Sequence, residues 1–99
     1  MQSHYLAQFD REMGCTLQEW LGWLPAAMGD VQWQQSASSA QAQIEGGSLR
    51  IQWQEGQPRR IALFSIPRLH VSFEFTGLDD AQRYTFMTRF DLYMQRGGG

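Results

Sequence analysis

The groups able to do nucleophilic or metal chemistry in this sequence are few: one thiol, Cys15, and two imidazoles, His4 and His70. A Cys–His pair works only when the two groups touch and the thiol is shifted toward the thiolate. Nothing in the spacing of these three residues brings them together, and three separate N or S donors without a paired spacing do not outline a zinc site. Cys15 stands just before a helix-start signal, where a small apolar group can pack, and His70 falls on the polar side of an alternating run. No catalytic residue, metal ligand or cofactor is therefore expected. A Gly-rich phosphate loop, a metalloprotease helix and a serine nucleophile elbow are all absent.

The carboxylates divide into two groups. Asp79 and Asp80 precede an apolar run, and Gln82 follows Asp79 by three, so helix capping accounts for them. Glu74 belongs to the run from Leu69 to Thr76, in which Leu69, Val71, Phe73 and Phe75 point one way and His70, Ser72, Glu74 and Thr76 the other. That period of two marks a half-buried strand. On its polar side Glu74 and His70 fall in with Arg50, Gln52 and Gln43 of neighbouring strands, a row able to hold a polar ligand. The ordinary role of such a row is a wet sheet face.

Other residues suggest contact with a partner. Ile61 and Leu63 point outward if Ala62, Phe64 and Ile66 point inward, and Trp23 and Leu92 lie off the main stripes of their helices. Together they form a candidate interface. Arg59, Arg60 and Arg68 at strand ends, with Trp33 or Trp53, are the residue types that clasp single-stranded nucleic acid. The alternation sends both tryptophans to the core, and the acidic balance (net charge −2) counts against nucleic acid as a partner.

These residues are positioned by a readable series of elements. Ser3 can cap a first short helix to Met13, with Tyr5, Leu6, Phe9 and Met13 on one face. Thr16 and Glu19 form a capping box for a second, with Leu17, Trp20, Leu21 and Leu24 as its stripe, Pro25 as a stop or kink, and Gly29-Asp30 as the exit turn. Val31–Gln35 alternates like a strand. Ala40–Glu45 and Leu49–Gln54 alternate on either side of Gly46-Gly47, which predicts a hairpin with Ile44 opposite Leu49 and Ala42 opposite Ile51. A turn at Glu55–Pro58 places Ala62 beside Ile51 and Phe64 beside Leu49. Pro67 then marks either a third turn, with Phe64 beside Val71, or a bulge in one long strand. The last helix starts at Asp79, carries Arg83, Phe86, Met87, Phe90, Tyr93 and Met94 inward, and ends at Gly97.

The whole chain of 99 residues predicts one α+β domain, with residues 97–99 as a flexible tail. It has an antiparallel meander sheet of four to five strands, two short N-terminal helices and one long C-terminal helix packed on the sheet. A single cysteine rules out an internal disulfide and fits a reducing compartment. The N-terminus lacks a basic and an apolar region, and no apolar run approaches the roughly 18 residues of a membrane span. A cytoplasmic location and no membrane partner follow as expectations. All eight basic residues are arginine, with no lysine and no asparagine, a bias of GC-rich bacterial genomes.

Two short stretches resemble known families. Gln95-Arg96-Gly97-Gly98-Gly99 is similar to the diglycine tails of ubiquitin-like modifiers and sulfur carriers, but those tails follow a β-grasp strand and these glycines follow a helix. Phe73-Glu74-Phe75-Thr76-Gly77-Leu78 resembles the end of PilZ domains, whose arginine and Asp-x-Ser-x-x-Gly signatures are absent here. Neither family's function is carried over. The expectation is a non-enzymatic protein-interaction or accessory module, with itself as a homodimer or another protein as partner. The alternative is a small-ligand binding protein or small enzyme using a cleft between sheet and helix.

Overall fold

The computed structural model describes residues 4–97; Ser3 as a helix cap and the Gly98-Gly99 tail lie outside them. Seven strands and two helices follow in the order β1 (Gln8–Met13), α1 (Leu17–Met28), β2 (Gln32–Gln35), β3 (Ser39–Ile44), β4 (Gly47–Glu55), β5 (Arg59–Ile61), β6 (Phe64–Ile66), β7 (Leu69–Thr76) and α2 (Asp80–Arg96). Five strands form an antiparallel sheet in the order β1-β7-β4-β3-β2, and β5 and β6 form a separate two-stranded ribbon. The class is α+β, as expected, with α2 on the sheet. Only one helix precedes the sheet's central strands, however, and it lies after β1.

The expected first helix is strand β1. Tyr5, Phe9 and Met13 are spaced by four, which suits a helix face and equally a strand face, since four is also an even number. What decides is the free edge of β7, which β1 fills from Gln8 opposite Glu74 to Met13 opposite Leu69. Phe9 stacks on Phe73 at 4.8 Å between ring centroids. The inward position between Phe9 and Met13 is held by Arg11, half-buried with its guanidinium 5.2 Å from the ring of Phe73. Its Nη1 donates to Asp91 Oδ1 of α2 at 2.7 Å, and the hydroxyl of buried Tyr5 donates to Asp91 Oδ2 at 2.7 Å. Arg83 of α2 donates from Nε to the Tyr5 carbonyl and from Nη1 to the Leu78 carbonyl, both at 2.8 Å. Polar contacts thus tie the N-terminal strand to the C-terminal helix.

Helix α1 starts where the capping box predicts. Thr16 Oγ1 accepts from the Glu19 amide at 3.0 Å, and Glu19 Oε1 accepts from the Thr16 amide at 2.9 Å. Of the two roles expected for Pro25 it does not take that of a stop: the helix runs through it to Met28 and leaves at the expected Gly29-Asp30 turn. A mid-helix proline removes one hydrogen bond and strains the turn before it. The helix end beyond it is held by Arg89 of α2, which donates from Nη1 to the carbonyls of Ala26 and Ala27, at 3.2 and 3.0 Å, acceptors that the last turn leaves without partners of its own. A cation at the C-terminal end of a helix also opposes the helix dipole. Trp20 and Leu24 then continue inward with Ala27 and Met28.

The β3–β4 hairpin keeps the predicted faces but not the predicted register. Ile44 pairs with Gly47, Ala42 with Leu49 and Ala40 with Ile51. The tip is Glu45-Gly46, both at positive φ (44° and 85°), as the favoured two-residue turns require. Each partner shifts by two, so every inward residue stays inward. Gly47 lies in the strand opposite Ile44, and only glycine fits there, because a Cβ would lie 2.5 Å from the Thr76 carbonyl and 2.7 Å from Leu78.

Both helices cover one face of the sheet. Trp20 of α1 meets Trp53 and Phe90 at 5.8 and 6.2 Å, and Phe90 of α2 meets Phe73 edge-on at 5.6 Å. The opposite face, with exposed Gln8, Asp10, Gln41, Arg50, Gln52, Ser72 and Glu74, is left open. Among the described residues, no helix is long and apolar enough to cross a membrane.

Burial, with the Asp91 hydrogen bond next in weight, pushes the Tyr5 phenol up from 10.0 to about 12. A folded-state value above the unfolded one means that the neutral phenol's contribution is fully present below pH 10. It is lost as pH rises toward 12. An absorbance titration should show a late phenolate step near pH 12 that Tyr5→Phe removes. Asp91→Asn, measured by urea unfolding near neutral pH, should cost about 1–3 kcal/mol by breaking the half-buried pair with Arg11.

Candidate functional site: a projecting arm and an open polar face

The connection from β4 to β7 is an arm. Glu55 ends β4, and the Gly56 amide donates to the Arg68 carbonyl at 2.9 Å, closing the base. Beyond it β5 and β6 pair with each other: Arg59 opposite Ile66, Arg60 opposite Ser65, Ile61 opposite Phe64. Pro58 and Pro67 flank these short strands, where no ladder amide is lost. The tip is Ala62-Leu63, with Ala62 at φ 54°. A non-glycine residue held there costs about 1 kcal/mol.

This overturns the expected place of residues 60–66 inside the main sheet. β4 pairs directly with β7, from Ser48 opposite Thr76 to Glu55 opposite Leu69. Leu49, Ile51 and Trp53 thereby meet Phe75, Phe73 and Val71, all buried. Two long alternating strands form one continuous ladder, whereas the arm offers two three-residue strands broken by Pro67. Ala62, Phe64 and Ile66 therefore do not enter the core. Pro67 is neither a two-residue turn nor a bulge within a long strand; it stands between the arm and β7.

Every residue from Arg59 to Ile66 is exposed. Leu63 is 100% exposed, Phe64 73% and Ile61 52%. The pairing puts Arg59, Ile61, Phe64 and Ile66 on one face of the ribbon and Arg60 and Ser65 on the other. Of the four expected interface residues, Ile61 and Leu63 are on the arm. Trp23, half-buried on α1, is close enough to fill the space a Cβ on Gly97 would need, and Leu92 is exposed on α2.

The expected polar row lies on the open face. Arg50 is opposite Glu74, Gln52 opposite Ser72, and Gln54 opposite His70. Unforeseen members come from β1, which places Gln8, Asp10 and Glu12 opposite Glu74, Ser72 and His70. Glu12 Oε2 is 3.6 Å from Arg68 Nη1 and 3.8 Å from His70 Nδ1. A hollow of about 390 Å³ is lined by Ser38, Gln52, Trp53, Gln54, His70 and Ser72. It is a hydrogen-bonding surface open to water. Reading residues 8–13 as a helix hid its acidic edge; the alternation of Gln8, Asp10 and Glu12 against Phe9, Arg11 and Met13 was the available signal.

The remaining reactive groups have structural places. Asp79 caps α2 by accepting from the Gln82 amide at 2.8 Å. His4 lies 3.5 Å from Asp80 on the surface. Cys15 is buried, and burial, reinforced by Glu19, pushes its thiol up. No group of three or more His, Cys, Asp or Glu residues suited to a metal ion occurs among the described residues. The native thiol should therefore resist an aromatic disulfide reagent at neutral pH and react promptly once urea unfolds the chain; fast native reaction would mean an accessible thiolate.

Compared with known proteins, the chain matches no protein-family model and no curated protein.

Proposed function

We propose that this chain is a non-enzymatic interaction module, an accessory domain that attaches to a partner surface through the β5–β6 arm. The observation that carries this reading is the exposure of Ile61, Leu63 and Phe64 on a ribbon that leaves the main sheet. Scattered apolar side chains on a surface are ordinary, but a contiguous set on a projecting element is a contact site. The buried, protonated thiol and the capping roles of Asp79 and Thr16 point the same way, because they leave those groups to the fold. Two-fold pairing of arms, with β5 laid antiparallel along its own copy, is the less favoured form of a homodimer. It brings Arg59 and Arg60 toward their own copies, and like charges placed opposite each other across strands are destabilising.

A second reading, a small-ligand site on the polar face, is favoured by the convergence of Gln52, His70 and Ser72 on one hollow. That hollow is shallow and wet, and the arm is the more unusual feature.

Leu63→Ser combined with Phe64→Ser should leave urea stability within about 0.5 kcal/mol of the parent, as for surface positions. A photocrosslinking residue at Leu63 should give adducts, to lipid or to protein, in the source cell, and one at Gln34 should not. Loss of folding in the double variant, or equal labelling at both positions, would remove the arm as the contact element.

A further inference from the structure

We infer that the occupant of the arm is an anionic lipid surface, into which the tip dips to the level of the headgroups. This rests on the arm being the contact element and names what it contacts. It is contact with a surface, distinct from a membrane span, and it departs from the expectation that no membrane is a partner.

Three observations carry it. The first is layering along the arm's axis. Ile61, Leu63 and Phe64 are at or beside the tip, and Arg59 and Arg60 follow toward the base. Arg60 lies three residues from Leu63, which at about 3.3 Å per residue is about 10 Å. Interfacial elements bury their apolar side to about 5–10 Å, so the tip reaches the acyl boundary as the guanidinium groups meet the phosphates.

The second is charge. From Gln57 to Pro67 the arm has Arg59 and Arg60 and no acid, while the chain as a whole has a net charge of −2. The rest of the chain is therefore at −4. An anionic surface attracts the arm and repels the body, which fixes the orientation of approach. An apolar cleft on another protein offers no such reason for a basic collar unless its rim is acidic.

The third is shape. The tip is convex and narrow, with only Ile61, Leu63 and Phe64 as large apolar groups at or beside it, whereas each partner in a stable protein interface gives roughly 800 Å² from about 20–30 residues. A fluid surface closes around a convex tip without a matching pocket. In the headgroup layer water still reaches the outer backbone groups of β5 and β6, so the open ribbon edges are satisfied at that depth.

The test is flotation of the full-length protein with vesicles of phosphatidylcholine containing about one third phosphatidylglycerol, against vesicles of phosphatidylcholine alone. The expected result is binding to the anionic vesicles that weakens as salt is raised. Arg59→Gln with Arg60→Gln should weaken binding by about thirtyfold, two charges at about 1 kcal/mol each converted at 1.4 kcal/mol per tenfold. Leu63→Ser with Phe64→Ser should weaken it by at least about a hundredfold. Absence of binding at low salt by the folded protein, or binding that survives the Leu63 and Phe64 substitutions, would overturn the inference. If vesicles fail while Leu63 still crosslinks to a discrete protein, the lipid surface falls and the arm stands as a protein-binding element. Failure of both removes the arm as well.

Discussion

The ladder between β4 and β7 governs the rest of this structure. It brings Leu49, Ile51 and Trp53 against Phe75, Phe73 and Val71, and it makes the floor on which both helices pack. Because the two strands are neighbours in space but separated by residues 56–68, that segment has no place in the sheet. Its backbone must pair with itself, and it does so as β5 and β6. The arm is thus a consequence of the ladder, and its apolar side chains are exposed because the core is already complete without them. The same ladder leaves the far edge of β7 open, and β1 returns from the other end of the chain to fill it.

Filling that edge sets a charge problem. β1 brings Arg11 to an inward position, and a half-buried cation needs partners. Asp91 supplies one, held in turn by the Tyr5 hydroxyl, while Phe9 and Phe73 flank the guanidinium. An inward charge on an edge strand also discourages further strands from adding there. One small polar cluster therefore holds α2 to the sheet and guards the edge. Arg89 plays a comparable part at the other helix, taking carbonyls that the last turn of α1 leaves without partners of its own. In both places an arginine joins elements that are distant in sequence.

The two surfaces left over differ in kind. The open sheet face is polar throughout, with charges of both signs interspersed: Arg50 is opposite Glu74 in the ladder, and Glu12 lies beside Arg68 and His70. The arm pairs apolar side chains with arginines that have no acid beside them in sequence. A surface of the first kind is content in water, whereas one of the second kind gains by leaving it, and this asymmetry is the ground for proposing the arm as the contact element.

Much of this could be read along the chain. Period-two alternation identified β3, β4 and β7 and put Arg50, Gln52, His70 and Glu74 on one face, because side-chain parity is local and survives an even shift of register. The capping boxes at Thr16 and Asp79 were equally local, each being a contact between residues three apart. What the sequence left undecided were choices between partners. Residues 5–13 satisfied helix and strand spacing alike, and only the vacant edge of β7 selected the strand. Gly46-Gly47 was a plausible tip, yet Gly47 lies in the strand, close against Leu78 and the Thr76 carbonyl. Ala62, Phe64 and Ile66 had a pattern fit for the core, and whether they entered it depended on a competition between ladders that only the assembled sheet could settle. Local periodicity determined which residues share a face; non-local pairing, whose energy accrues only when distant strands meet, decided which faces were buried and which were left exposed.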